Sequence, residues 1–454
     1  FREGDAVVLY ERNAETDNVT NKMVFKGNIE YFSETFVRVR LRASQQNAGV
    51  LPSDSCYAIE HDYMDTSFRS MYNGLTAFLS ATPRRRDLLL GQRLPEFDTA
   101  LDSRIAEAAD DFARIALKAE AARDYFLLVG PPGTGKTSRA LRAMVGNFYR
   151  QGKQVLLLSY TNRAVDEICK MLVGISPAVD FIRIGSELAC EPAYRPYLVE
   201  NVLEACANRC AVQERLGRCQ IFVGTVATLS SKTDLFRLKT FDVAIVDEAT
   251  QILEPQLLGL LCARGVQGGD AIGKFVLIGD HKQLPAVVLQ SSAQSEVHDE
   301  ALRGIGLYNL KDSLFERLYR YVTCLKADAV VAGLPLSVRC HDMLRRQGRM
   351  NIEVARFPNQ AFYGNQLEIL GLPHQQGALA LASGLESDEF APLLTRRVAF
   401  LPSQPEPLSG SPKVNHSEAC LVARLAVSVY KQYSASGQFD VASTLGIIAP
   451  YRSQ

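Results

Sequence analysis

The stretch Gly130-Pro131-Pro132-Gly133-Thr134-Gly135-Lys136-Thr137-Ser138 constrains this chain more than any other. It fits G-x-x-x-x-G-K-[ST], the pattern of a phosphate-binding loop. Its flanks agree. Tyr125-Phe126-Leu127-Leu128-Val129 is a short apolar run of the buried-strand kind, and 138–144 (SRALRAM) reads as the helix that follows. Strand, glycine-rich turn and helix together gather several backbone N–H groups around one anion at a helix N-terminus. In such a loop Lys136 reaches the β- and γ-phosphates and Thr137 holds Mg²⁺.

From 123 to about 330 the pattern is strand, loop, helix, repeated, which predicts a parallel α/β sheet. The apolar runs 155–159, 222–225, 241–246 and 275–278 are its further strands, and each ends in polar residues. Ligands bind beyond the carboxyl ends of such strands. Asp247-Glu248 follows one run: Asp247 suits Mg²⁺, and Glu248 suits an attacking water. Gly279-Asp280-His281-Lys282-Gln283-Leu284-Pro285 follows another, with Gln283 as a polar sensor of the γ-phosphate. Arg349 is the candidate cation for that phosphate from across a domain cleft. Residues 172–220 read as a helical insertion.

Residues 1–65 read as β, with strand candidates at 5–10, 36–42 and 56–60; short strands with polar turns predict a small barrel. Arg38, Arg40 and Arg42 share one face, either a phosphate contact or a solvated strand surface. Residues 66–122 read as a helical stalk. A second unit starts at about 331, and 444–451 reads as a strand running into a loop. Lys+Arg and Asp+Glu both number 50, so any nucleic-acid partner must be held by a local basic groove. Ten cysteines without framework spacing suit a reducing, intracellular setting, cytoplasmic or nuclear. Cys190, Cys206, Cys210 and Cys219 lie near one another in sequence, but not at zinc-site spacing. No apolar run has membrane-spanning length, and no membrane partner is expected. The chain opens at Phe1-Arg2 inside what reads as a folded domain, so a piece of a longer protein is expected.

Together these residues resemble the superfamily 1 helicases of the 5′→3′ branch, and within it the group of the nonsense-mediated-decay RNA helicase and the Okazaki-fragment nuclease–helicase. GPPGTGKTS (130–138) is similar to motif I, SYTNRAVDEI (159–168) to motif Ia, VDEATQILEP (246–255) to motif II and LIGDHKQLPAV (277–287) to motif III. QGRM with FPNQAFYGNQL (347–367) resembles motif IV. The resemblance implies a RecA-like parallel-sheet domain over 123–330 and a truncated second RecA-like domain over 331–454, behind the barrel and stalk. It implies ATP and Mg²⁺, catalytic roles for Lys136, Asp247, Glu248, Gln283 and Arg349, and nucleic-acid contacts at Thr161, Asn162 and Thr225. The implied function is a monomeric ATP-driven 5′→3′ translocase on single-stranded DNA or RNA. DNA is favoured because Asp124-Tyr125-Phe126-Leu127-Leu128 is more like the nuclease–helicase branch, where a nuclease domain would lie elsewhere in the full-length protein. The alternative is an ATP-binding nucleic-acid clamp or RNP remodeller without unwinding activity. An AAA-type protein remodeller would share the loop and the Asp-Glu pair but not QGRM.

Three departures stand out. Family members have two further motifs after the Pro450-Tyr451 loop, so the chain as given is expected to bind nucleotide but hydrolyse it poorly. Gly348 stands where an aromatic normally stacks on adenine. The glutamine upstream of motif I that reads the adenine edge has no clear counterpart in 98–124. Relaxed base selectivity is the expected consequence.

Overall fold

The computed structural model describes residues 1, 5–12, 23–33, 35–42, 51–62, 66–175, 178–288, 290–403 and 414–449. Near the N-terminus, strands β1 (Ala6–Glu11), β2 (Val24–Phe32), β3 (Val37–Leu41) and β4 (Tyr57–His61) form an antiparallel sheet in the order β3-β2-β1-β4. Among the described residues its edges β3 and β4 do not pair, so the expected barrel is here an open sheet. Its core is thin: Val7, Tyr10 and Ile29 are the buried apolar residues. Two members of the arginine stripe have partners, Arg40 with Glu30 at 2.5 Å and Arg42 with Asn28 at 3.0 Å. The stalk region is helical, with α1 (Thr66–Leu79), α2 (Pro83–Leu89), α3 (Asp102–Ala106) and α4 (Asp111–Ala121). Asp110 caps α4 by accepting from the Ala113 N–H at 2.8 Å.

The main sheet is built from β5 (Tyr125–Val129), β6 (Val155–Ser159), β7 (Phe181–Ile184), β8 (Ile221–Thr225), β9 (Phe241–Val246) and β10 (Ile272–Gly279). A short hairpin, β11 (Val330–Val331) and β12 (Leu334–Pro335), precedes its last member, β13 (His341–Met343). The order is β13-β5-β10-β9-β6-β8-β7, and every pairing is parallel. These strands are apolar at successive positions because helices cover both faces. Tyr125, Leu127 and Val129 enter one core with Leu156 and Leu158, while Phe126 and Leu128 enter the other with Val155 and Leu157.

Three expectations need correcting. The stretch 172–220 is not only helical: it supplies β7, whose four residues are all buried, beside helices Val199–Leu203 and Arg209–Arg218. The first sheet does not close before 331, because β13 pairs with β5. The strand expected at 444–451 is absent over its described part, 444–449, where Ile447 and Ile448 are 63% and 95% exposed and, among the described residues, no sheet edge offers hydrogen bonds. Beyond β13 the chain starts a second α/β unit. Strand β14 (Arg346–Gln347), helix Ile352–Phe362 and strand β15 (Glu368–Ile369), parallel to β14, make a short βαβ element. Among the described residues, no helix is long and apolar enough to cross a membrane.

Candidate active site

Register sets the site. Val129 stands level with Gly279, and Val246 with Leu277, so β5, β10 and β9 release Gly130, Asp280 and Asp247 at one edge of the sheet. The Gly130 N–H donates to the Gly279 carbonyl at 2.9 Å, tying the phosphate loop to β10. Gly279 carries no side chain because a Cβ would lie 2.8 Å from Thr250 Cγ2. Inside the loop the Thr134 hydroxyl donates to the Pro131 carbonyl at 2.7 Å. Gly133 turns the loop at φ +76°, a left-handed value that favours glycine. The helix that follows begins as a π-helical turn over Lys136–Leu141 and continues as α5 (Arg142–Arg150).

The loop and the end of β9 meet through side chains. Lys136 Nζ lies 2.5 Å from Glu248 Oε1, and the Thr137 hydroxyl donates to Asp247 Oδ2 at 2.7 Å. Asp247 is 2% exposed, and burial pushes its carboxyl up, against the pull of Lys136 and Thr137. A buried carboxylate of this kind calls for a cation. The hydroxyl and carboxylate oxygens of Thr137 and Asp247 are the donor set that Mg²⁺ prefers, so the residues present fit that ion. Glu248 has φ +55° and ψ +37°, a left-handed conformation costing about 1–2 kcal/mol in a residue with a Cβ. The turn lets its carboxylate reach Lys136 and also accept from Gln251 Nε2 at 3.3 Å.

Gln283 lines the same cleft, with its amide turned onto Asp280 Oδ2 at 2.7 Å. Arg349 arrives from beyond β13. The Gly348 N–H donates to the Gly133 carbonyl at 2.9 Å, and a Cβ at Gly133 would lie 2.5 Å from Arg349 Cβ. Gln347, fully buried, shapes this segment: its Oε1 accepts from Arg349 N at 3.0 Å and from Met350 N at 2.8 Å. The phosphate loop, Glu248, Gln283 and Arg349 therefore line one cleft of about 900 Å³. At its far wall Phe112 lies under the Arg139 guanidinium, 4.5 Å from ring centroid to charge centre. A Cβ at Gly348 would come 2.9 Å from Leu370 Cδ1, so leucine occupies the space beside the missing aromatic.

The three nucleic-acid candidates fare differently. Thr161 is exposed and caps α6 (Asn162–Val173) by accepting from Ala164 N at 3.2 Å; Asn162 opens that helix, half-buried. Thr225 is only 5% exposed, and its hydroxyl caps the Val226–Ser231 helix through Thr228 N at 3.1 Å. Thr225 thus sits as a helix cap rather than an open contact, because β8 runs directly into that helix. The cysteines also separate: Cys190 and Cys219 are buried in the cores on opposite faces of the sheet. Among the described residues no group of three or more His, Cys, Asp or Glu is placed to hold a metal.

Sequence reasoning missed Asp280, Gln347, Tyr363 and Phe112. Asp280 carries a usable signal, an acid directly after an apolar strand, as at Asp247. Phe112 and Tyr363 act across chain distances that no local pattern marks, whereas Gln347, within QGRM, bonds the backbone only two and three positions on.

The whole chain has informative relatives. One AAA-domain model matches residues 107–211 and 207–291, and a second AAA-domain model matches 310–454. The DNA replication ATP-dependent helicase/nuclease DNA2 of Bos taurus is 28% identical over 94% of this chain and 39% of its own length. The human protein of that name is 28% identical over 90% of this chain and 38% of its own length. The Arabidopsis thaliana DNA replication ATP-dependent helicase/nuclease JHS1 is 28% identical over 100% of this chain and 32% of its own length. The chain thus spans 32–39% of the length of these curated relatives. With both AAA-domain models in sequence order and the phosphate loop, Asp-Glu pair and arginine assembled in one cleft, the chain belongs to the superfamily 1 helicases.

Proposed function

We propose that this chain is the motor core of an ATP-dependent helicase moving 5′→3′ on single-stranded nucleic acid, DNA in preference to RNA. The observation that carries the reading is the hydrogen bond from Gly348 N–H to the Gly133 carbonyl, which brings Arg349 to the phosphate loop. Before nucleotide arrives, Lys136 and Glu248 neutralise each other at 2.5 Å. An incoming triphosphate competes for Lys136. The freed Glu248 carboxylate can then orient and polarise the attacking water. Arg349 supplies positive charge to the γ-phosphate from the second unit, so its effect depends on how closely that unit stands against the first. Mg²⁺, held by Thr137 and Asp247, would offset phosphate charge. We take 123–330 and 331–454 as two RecA-like halves, with β13 lent by the second half to the first. Cycles of closure and release between them would step the chain along a strand lying over Thr161 and Asn162. The names and lengths of the relatives support the DNA preference and a nuclease domain elsewhere in the full-length protein, and the ten cysteines without framework spacing support an intracellular setting.

Base selectivity is expected to be loose. Phe112 and Arg139 offer stacking, and neither presents the paired donor and acceptor of a glutamine amide. GTP should be hydrolysed nearly as fast as ATP; a roughly hundredfold preference for ATP, about 2.7 kcal/mol, would overturn that.

The test is ATP hydrolysis by the full-length protein, with and without single-stranded DNA and RNA, beside Lys136→Ala. Stimulation that vanishes in the variant is the expected result, with DNA the better activator. No stimulation by either polymer would overturn the motor reading.

A further inference from the structure

Asp280 is 1% exposed, yet it carries a carboxylate with three donors. The Lys282 N–H gives to Oδ1 at 3.0 Å. Gln283 Nε2 gives to Oδ2 at 2.7 Å, and the Tyr363 hydroxyl gives to the same Oδ2 at 2.6 Å. Tyr363 is 7% exposed and stands 83 positions away in sequence. Burial first, and then the Asp280 carboxylate, hold the Tyr363 phenol protonated well above its ordinary range, so it is the donor of this pair.

Tyr363 ends the Ile352–Phe362 helix, whose other end is capped by Asn351, two positions after Arg349. Eleven helical residues, with Pro358 among them, span about 16 Å between these two ends. One end meets the phosphate loop through Gly348 and Gly133, and the other meets Asp280. The Gln283 amide is thus parked on a carboxylate that the second unit also holds.

For Gln283 to serve a phosphate or water it must leave Asp280. A buried carboxylate that loses a donor costs about 1–3 kcal/mol unless another donor remains. We infer that Tyr363 is a positioning residue: its hydroxyl keeps Asp280 satisfied when Gln283 swings into the cleft, so that release of the sensor is coupled to docking of the helix that delivers Arg349. Without the hydroxyl, Gln283 becomes the remaining side-chain donor to Oδ2 and stays parked.

The inference rests on the ATPase reading, and its test separates the two. In the full-length protein, Tyr363→Phe should lower single-strand-stimulated kcat about tenfold, with KM for ATP within about twofold. In a Gln283→Ala background, Tyr363→Phe should change kcat by less than about twofold, because there is no amide left to release. Equal losses in both backgrounds would overturn the coupling while leaving the motor intact. A second readout needs no turnover. These 454 residues contain no tryptophan, and Leu284, beside Gln283, is 83% exposed, so Leu284→Trp adds a fluorescent reporter that is read against the same protein without it. A non-hydrolysable ATP analogue should change its emission, and Tyr363→Phe should abolish the change without weakening analogue binding. An unaltered response in Tyr363→Phe would overturn the inference whatever the hydrolysis assay gives.

Discussion

At the amino ends of β5, β8, β9 and β10 charge is satisfied within the protein; at the carboxyl ends of β5, β9 and β10 it is gathered for a ligand. Just before β5, Arg93 grips Asp124 with two bonds of 2.8 and 2.7 Å. Near the start of β10, Lys274 gives its three protons to the carbonyls of Ala119, Glu120 and Ala122, each at 2.8 Å. Before β9, Lys239 does the same for Leu216, Gly217 and Cys219. The other end holds a buried carboxylate at Asp247, a left-handed glutamate at 248 and a lysine paired with that glutamate. The same strands thus carry a closed base and an unfinished top. A rigid base allows the top to hold strain and excess charge that a ligand, not the fold, will relieve.

The comparison breaks most readily at Lys136. Lys136→Ala should cut stimulated ATP hydrolysis by at least about a hundredfold, roughly 3 kcal/mol, with little change in melting temperature. Loss of stability on the same scale would mean that the top is structural after all.

Arg93→Met probes the base. Removing one partner of a partly buried pair should cost about 2 kcal/mol at pH 7, without altering ATP affinity in the folded protein. Burial pushes Asp124 up, but the Arg93 side chain and the Glu96 N–H outweigh it and leave its pKa lowered. A lowered folded pKa gives stability above the unfolded value that is lost as pH falls through the folded one. Urea melts should therefore show the variant's deficit shrinking between pH 5 and pH 2. A deficit constant over that range would remove the ion pair from the explanation.

Asp247→Asn sharpens the contrast, because stability and function should move in opposite directions. The folded pKa of Asp247 is raised, chiefly by burial. Its charged form is therefore penalised at neutral pH, and wild-type stability from this group increases as pH falls through the folded pKa. The amide should raise the melting temperature at pH 7 by a few degrees, about 1 kcal/mol, while Mg²⁺-dependent nucleotide binding fails. A lower melting temperature would mean that the charged form is already compensated.

The smallest effect is expected at the far wall of the cleft. Phe112→Ala should weaken ATP and GTP alike by about 1 kcal/mol, the scale of one stacking contact. Weakening of ATP alone would assign base reading to that wall.

Much of the top was legible from sequence because it is local. Gly130 to Ser138, Asp247-Glu248 and the segment from Gly279 to Gln283 each follow an apolar run, and strand length with glycine backbone freedom sets their shape within ten residues or so. The parallel sheet was legible for the same reason. Other features depended on which surfaces met. Strand β7 rose from a stretch read as helical because β8 left an open edge. The expected strand at 444–451 has no sheet edge over its described residues, 444–449, and Thr225 was turned into a cap by the helix that follows it. Arg349 was expected at the γ-phosphate, but its seat against Gly133, like that of Tyr363 against Asp280, was decided by tertiary structure. Each joins groups more than 80 positions apart through register and helix docking, whereas sequence patterns report only which residues must be buried, not what they are buried against.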